Sequence, residues 1–179
     1  MVNFKNIKIP LKIGEYILEN SLFKVNTLLL HVSKSKSCSD NDIKLSEDID
    51  TGVCGIILFL IELNKIKPEP KFQKAILDAG EDLIHHCRKT SRLHYGFFKG
   101  RAGVCYTLIR LSEATGEEKF LKYALEIINN ESDTFIKSEF TTNRLYDGLS
   151  GLLLVLLHLY NIEQDSWIIE KINLCLGRI

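Results

Sequence analysis

The chain has 179 residues, 45% of them apolar, which is enough for one domain with a real hydrophobic core. Twenty-three basic residues cancel 23 acidic ones, so nothing in the net charge supports a nucleic-acid or anionic-membrane partner. No apolar run reaches the ~18 residues of a membrane span, the first residues lack a signal peptide's apolar segment, and five cysteines without CxxC spacing point to free thiols in a reducing cytoplasm.

In chain order, residues 1–47 read as a lead-in. "IKIPLKIGEYILEN" and "SLFKVNTLLLHV" are expected to form one or two amphipathic helices, followed by a polar linker from Ser33 to Asp48 whose "SKSKS" is a solvated charge run. A nearly all-apolar helix then runs from about Val53 to Ile66 and stops at "KPEP", because a residue before proline avoids helical geometry. A second helix from about Pro70 to Lys89 carries Phe72, Ile76, Ala79 and Leu83 on one stripe and acids and lysines on the other face. The same pair follows twice more: about 102–113 with 118–129, then 149–160 with a helix starting near Trp167 that Asp165 or Ser166 can cap.

These pairs are a repeat. "GVCGIILFLIEL", "GRAGVCYTLIRL" and "GLSGLLLVLLHL" begin at Gly52, Gly100 and Gly148, 48 residues apart, and "KFQKAIL" at Lys71 returns as "KFLKYAL" at Lys119. Leu60, Leu108 and Leu156 share one register position, and Leu63, Leu111 and Leu159 another. A unit that cannot bury its own apolar face must stack on its neighbours. The expected fold is therefore all-α, made of helical hairpin repeats of about 48 residues across 48–179. Inner helices greasy on most sides form a wall, and amphipathic outer helices cover it.

Each inner helix opens on two glycines three apart: Gly52 and Gly55, Gly100 and Gly103, Gly148 and Gly151. Such a pair lets a backbone approach closely. The start of the helix can press against the adjacent inner helix, or it can leave amide donors facing a pocket, where three helix N-termini on one rim would suit an anionic or carbonyl group.

The motifs "LSEDIDTGVCGIILFLIEL", "FFKGRAGVCYTLIRL" and "LYDGLSGLLLVLLHLY" resemble the repeats of the lanthionine synthetase C-like family, over roughly residues 45–179. The resemblance implies part of an α/α toroid of seven hairpins, of which this chain would supply the first three. It also implies kinship with the peptide-modifying cyclases of lanthipeptide biosynthesis, which add cysteine thiols to dehydrated serine or threonine. Those cyclases activate the thiol on zinc held by a cysteine and a Cys-His pair from later hairpins. The positions here that match the ligands are Asp50 and Thr51, Phe98 and Lys99, and Tyr146 and Asp147, so no zinc cofactor is expected in this chain and it is expected to be incomplete for catalysis alone.

The family's third-repeat aspartate corresponds to Arg144, which leaves Asp147 as the substitute catalytic acid; alternatively Asp147 favours the helix N-terminus electrostatically. "HHC" at His85 to Cys87 is discounted as a metal site, since consecutive helical residues diverge. Cys54, Cys105 and His158 read as core or packing residues, and His31 and His94 have no partner that sequence identifies. Two rival readings stand beside this one: a non-catalytic helical module holding a peptide or partner protein, and a toroid glycosidase, for which Asp50 and Asp147 are one residue out of register. Expected partners are a peptide substrate, a partner protein or a second copy of the chain, because an apolar flank is expected near Leu152, Val155, Leu159 and Trp167.

Overall fold

Proline, glycine and the apolar period set the helix ends. A computed structural model of the protein describes residues 7–24, 27–30, 43–44, 46–89 and 95–179, with backbone alone for 20–24, 27–30 and 43–44. The first hairpin pairs α2 (Val53–Ile66) with α3 (Pro70–Lys89), where Pro70 takes the first helical position, at which an N–H would have no partner within the helix. The second pairs α4 (Arg101–Thr115) with α5 (Glu118–Lys137), and Gly116 closes α4 in the left-handed conformation at φ +75, donating to the Ser112 carbonyl. The third pairs α6 (Leu149–Tyr160) with α7 (Ser166–Leu176). Asp165 stands at the N-cap of α7, but its carboxylate accepts the Trp167 indole N–H at 3.2 Å and bonds no backbone amide.

The hairpins stand in a row: α2 packs on α4, α4 on α6, and each inner helix on its own outer helix. Leu60, Leu108 and Leu156 are all fully buried, as are Leu111 and Leu159, with Leu63 at 2% exposure, so both leucine rows of the repeat form the core. Inner helices bury the larger share of their residues: nine of 15 in α4 against eight of 20 in α5, and six of 12 in α6 against four of 11 in α7. Helix α5 runs eight residues past the expected Asn129 because its apolar period continues through Ile128, Ser132, Phe135 and Ile136, all buried.

The lead-in differs from expectation in its second half. Helix α1 (Lys8–Asn20) forms and lies on α2 and α3, with Gly14 against Leu63 and Phe72. The following segment is not a helix. Ser21–Lys24 (β1) and Thr27–Leu30 (β2) pair antiparallel with Lys24 opposite Thr27, and Ile43–Lys44 (β3) adds to β2, making a small sheet beside α3 outside the helical repeats. The expected linker at 33–42, with Cys38, and the residues His31 and His94 lie outside the described residues. Among the described residues no helix is long and apolar enough to cross a membrane.

Candidate functional site

The outer helices run antiparallel to the inner ones, so the loops before α2, α4 and α6 gather at one end. These rim loops, residues 46–52, 95–100 and 142–148, each fold back over the helix they open. The first-turn amide of Val53 donates to the Ser46 carbonyl at 2.9 Å, and Leu149, 96 positions later in the same register, donates to Thr142 at 2.8 Å. The amide of Gly103 donates to Gly96. Loops also bond side by side: Ile49 N to Phe98 O at 3.1 Å, Phe97 N to Leu145 O and Phe98 N to Tyr146 O at 3.0 Å.

This settles what the glycines are for. A methyl group on Gly55, Gly103 or Gly151 would run into the carbonyl of Ile49, Phe97 or Leu145, the residue six before it in each repeat. Each second glycine makes room for its own rim loop, and Gly103 and Gly151 also for the rim loop beside it, at Ile49 and at the Phe97 amide, rather than for a neighbouring helix. Gly100, at φ +131, is the one whose backbone also demands glycine. Its amide donates to the buried carboxylate of Asp48 at 3.0 Å, which ties the first rim loop to the second inner helix. These four donors are taken by loop carbonyls and by Asp48.

The side chains on the loops are brought together. Asp50, Phe98 and Tyr146, equivalent in the repeat, meet on the rim: Phe98 and Tyr146 stack at 5.9 Å and 22°, and the Tyr146 hydroxyl donates a short hydrogen bond to Asp50. The Lys99 ammonium lies 5.8 Å from the Tyr146 ring centre, and Thr51 donates to the other Asp50 oxygen at 3.2 Å. The Tyr146 hydrogen bond, helped by Thr51 and Lys99, holds the Asp50 carboxyl below its ordinary range, and the same bond pushes the Tyr146 phenol up. Asp147 points to other partners. Its carboxylate takes the Arg144 guanidinium at 2.6 Å and the Thr142 hydroxyl at 3.4 Å, and it edges a cavity of 330 Å³ beside Phe135 and Phe140.

Below the rim the inner wall carries a chain of aromatic and ionic contacts. Phe98, Phe97, Tyr106 and His158 follow one another with ring centres 5.2, 5.1 and 5.5 Å apart. Glu62, Arg110 and His158 occupy one register position on the three inner helices. Arg110 reaches Glu62 at 2.9 Å and Glu113 at 2.6 Å, Lys65 also holds Glu62 at 2.8 Å, and His158 stands 3.5 Å from Glu113. The result is a ladder of alternating charge, Lys65, Glu62, Arg110 and Glu113, across α2 and α4, with the His158 ring of α6 beside its end.

Behind the rim lies a polar cluster that sequence reasoning missed. Arg101 is 1% exposed and donates to the Cys87 carbonyl at the end of α3, with Glu131 of α5 at 3.7 Å. Glu47, also 1% exposed, sits 3.3 Å from the His86 ring nitrogen. The "HHC" residues diverge: His86 faces Glu47, Cys87 enters the core, and His85 lines a surface groove with Arg88 and Tyr123. Cys54, Cys87, Cys105 and Cys175 are free and buried, and burial pushes their thiols up, to about 12 for Cys87 and about 11 for Cys175.

Zinc prefers thiolate and imidazole donors. The rim offers a carboxylate already bonded to a phenol, two stacked rings and an ammonium, and the described thiols are inside the core, so these residues do not fit a zinc centre. Among the described residues no three His, Cys, Asp or Glu side chains are grouped to hold a metal ion. No curated protein and no solved structure matches the chain. Compared with protein families, residues 44–179 match the model described as lanthionine synthetase C-like protein.

Proposed function

The chain belongs to the lanthionine synthetase C-like family, and from that premise we propose that it serves peptide modification of the lanthipeptide kind by supplying a peptide-binding rim and inner wall, without activating the thiol itself. The observation that carries this reading is the meeting of Asp50, Phe98 and Tyr146 on the rim. In the cyclases the resemblance points to, the equivalent places in other hairpins hold the zinc ligands. Here they hold a partly exposed aromatic pair with an acid and a lysine at its edges, a surface suited to holding a peptide side chain and its backbone rather than a metal.

In this reading the three hairpins are an arc of the family's toroid, and the protein works in the cytoplasm, where its buried thiols stay reduced. Asp147 is the rim acid nearest the place of the family's proton-transfer residue. Its pairing with Arg144 makes it a positioning group for the third rim loop. The charge ladder favours a second, purely binding role, a helical module that holds a peptide or a partner protein: Lys65, Glu62, Arg110 and Glu113 satisfy one another's charge and leave that stretch of the wall nearly neutral.

The test is an anisotropy titration of the full chain with a labelled, dehydrated, cysteine-containing peptide. Saturable binding is expected, loosened by about tenfold, or about 1.4 kcal/mol, in Phe98→Ala and Tyr146→Ala. Binding that neither substitution changes would remove the rim from the account.

A further inference from the structure

The outer helices α3, α5 and α7 meet side by side, and the two grooves between them are built from the same register positions. Between α3 and α5 the lining is Glu81, Ile84, His85 and Arg88 on one side and Lys119 and Tyr123 on the other. One repeat later the same positions hold Asn129, Ser132, Asp133 and Ile136 against Trp167 and Lys171.

The second groove satisfies itself. Lys171, 6% exposed, reaches across to the Asp133 carboxylate and the Asn129 carbonyl, the Ser132 hydroxyl donates to Ile128 within its own helix, and Ile136 is buried. In the first groove Tyr123 stands in the place of Lys171 and is 8% exposed, yet its hydroxyl has no hydrogen-bond partner among the described residues. Burial pushes that phenol up to about 12, so at neutral pH it is a donor in want of an acceptor. Arg88 takes the place of Ile136 and lies over the Tyr123 ring, 5.2 Å from its centre, with no carboxylate in ion-pair range among the described residues. A guanidinium stacked on a ring face keeps its N–H edge free for an anion. Beside this pair the groove encloses 250 Å³.

Charge and size decide what fits. The one acid lining the groove, Glu81, is held by Lys119 at 2.5 Å, which leaves the Arg88 charge over. Asp82 interacts with His85 electrostatically but does not line the groove, and Glu126 and Glu131 line the adjoining cavity, where Glu131 is held by Tyr95 and Arg101. One unspent positive charge calls for a monoanion. The edge of a guanidinium matches the two oxygens of a carboxylate, and the phenol supplies a third donor. The space is below the roughly 300–1,000 Å³ of drug-sized sites, so the ligand is small.

We propose that this groove binds a small organic carboxylate, its oxygens on the Arg88 guanidinium and the Tyr123 hydroxyl and its apolar body along Ile84. The site lies on the outer layer and is independent of the peptide-binding rim.

Isothermal titration calorimetry of the full chain with sodium benzoate tests this, with benzamide as the uncharged match and phenyl phosphate as the doubly charged one. The wild type is expected to bind benzoate saturably at one site, phenyl phosphate more weakly and benzamide not at all. Arg88→Gln, on the surface, and Tyr123→Phe, which removes one oxygen, are each expected to loosen benzoate by about tenfold or more. Lys122→Gln, which takes an exposed charge from α5 outside the groove, is expected to leave it unchanged. The proposal is overturned by a wild type without saturable binding, by benzamide or phenyl phosphate binding as well as benzoate, by an affinity that either groove substitution leaves unaltered, or by an equal loss in Lys122→Gln. Tighter binding of a glutamate-containing peptide than of benzoate also overturns it, because the ligand would then be an acidic residue of another protein.

Discussion

Replacing Gly151 by alanine isolates what the repeated glycines do. The added methyl would meet the Phe97 amide nitrogen first and would stand 2.6 Å from the Leu145 carbonyl oxygen and 3.0 Å from the Gly96 carbonyl carbon, where ordinary contact begins near 3.4 Å. All three obstacles are backbone, and their loops are joined by the 3.0 Å hydrogen bond from Phe97 to Leu145, so relief must part the second and third rim loops. Overpacking of this kind costs about 1–3 kcal/mol, and the strained loop bond adds about 1 kcal/mol. Alanine's better helix propensity returns about 1 kcal/mol at most. The net expectation is a loss of about 2 kcal/mol, or a fall of about 4–8 °C in Tm for a chain of this size. Gly177→Ala is the control. Its methyl meets nothing closer than 3.5 Å, and that substitution is expected to leave Tm nearly unchanged. Thermal melts followed by circular dichroism decide it, and a Gly151→Ala protein as stable as the wild type would refute the close-approach reasoning.

Arg101→Met removes a buried cation from the Cys87 carbonyl and from the half-exposed Glu131, and the orphaned buried carbonyl costs about 1–3 kcal/mol, seen as a lower urea midpoint at unchanged slope. Lys171, buried on α7, donates to Asp133 on α5 and, with Lys137, holds that carboxyl below its ordinary 3.8. A depressed carboxyl pKa stabilises the fold above its unfolded value and loses that contribution as pH falls through the folded one. Wild type should therefore exceed Asp133→Asn in stability at neutral pH, with the gap closing below about pH 4; a gap independent of pH would contradict the pairing. In Tyr146→Phe the Asp50 carboxyl loses the main cause of its depression, so its carbon-13 titration should move upward toward the ordinary aspartate value. An unmoved titration would show that the hydroxyl does not bond it.

What could be read from the sequence was whatever recurs. The leucine rows at 60, 108, 156 and 63, 111, 159 are core because the same packing problem is solved three times. Features that occur once were hidden. Glu47 and Asp48 have Tyr95 and Gly96 as their second-repeat equivalents, and Arg101, following a helix-opening glycine, has the appearance of a solvated residue until the end of α3 is seen to need a donor. The exposed flank was misplaced for a physical reason. Leu152, Val155 and Leu159 are buried because their positions face the interior in every hairpin, whereas Leu157 occupies the position that faces the next one; Trp167 is half-buried. The two strands after α1 were read as helix because four-residue apolar segments carry too little periodicity to separate the two states.

The central claim is that this wall holds a peptide and does not activate its thiol. Its most direct test follows thioether formation by mass spectrometry in a dehydrated, cysteine-containing peptide, with the full chain and added zinc against zinc and buffer alone. The account predicts equal rates with and without the protein, although the peptide is bound. Ring closure accelerated by the chain, together with one zinc retained per chain after dialysis, would contradict it.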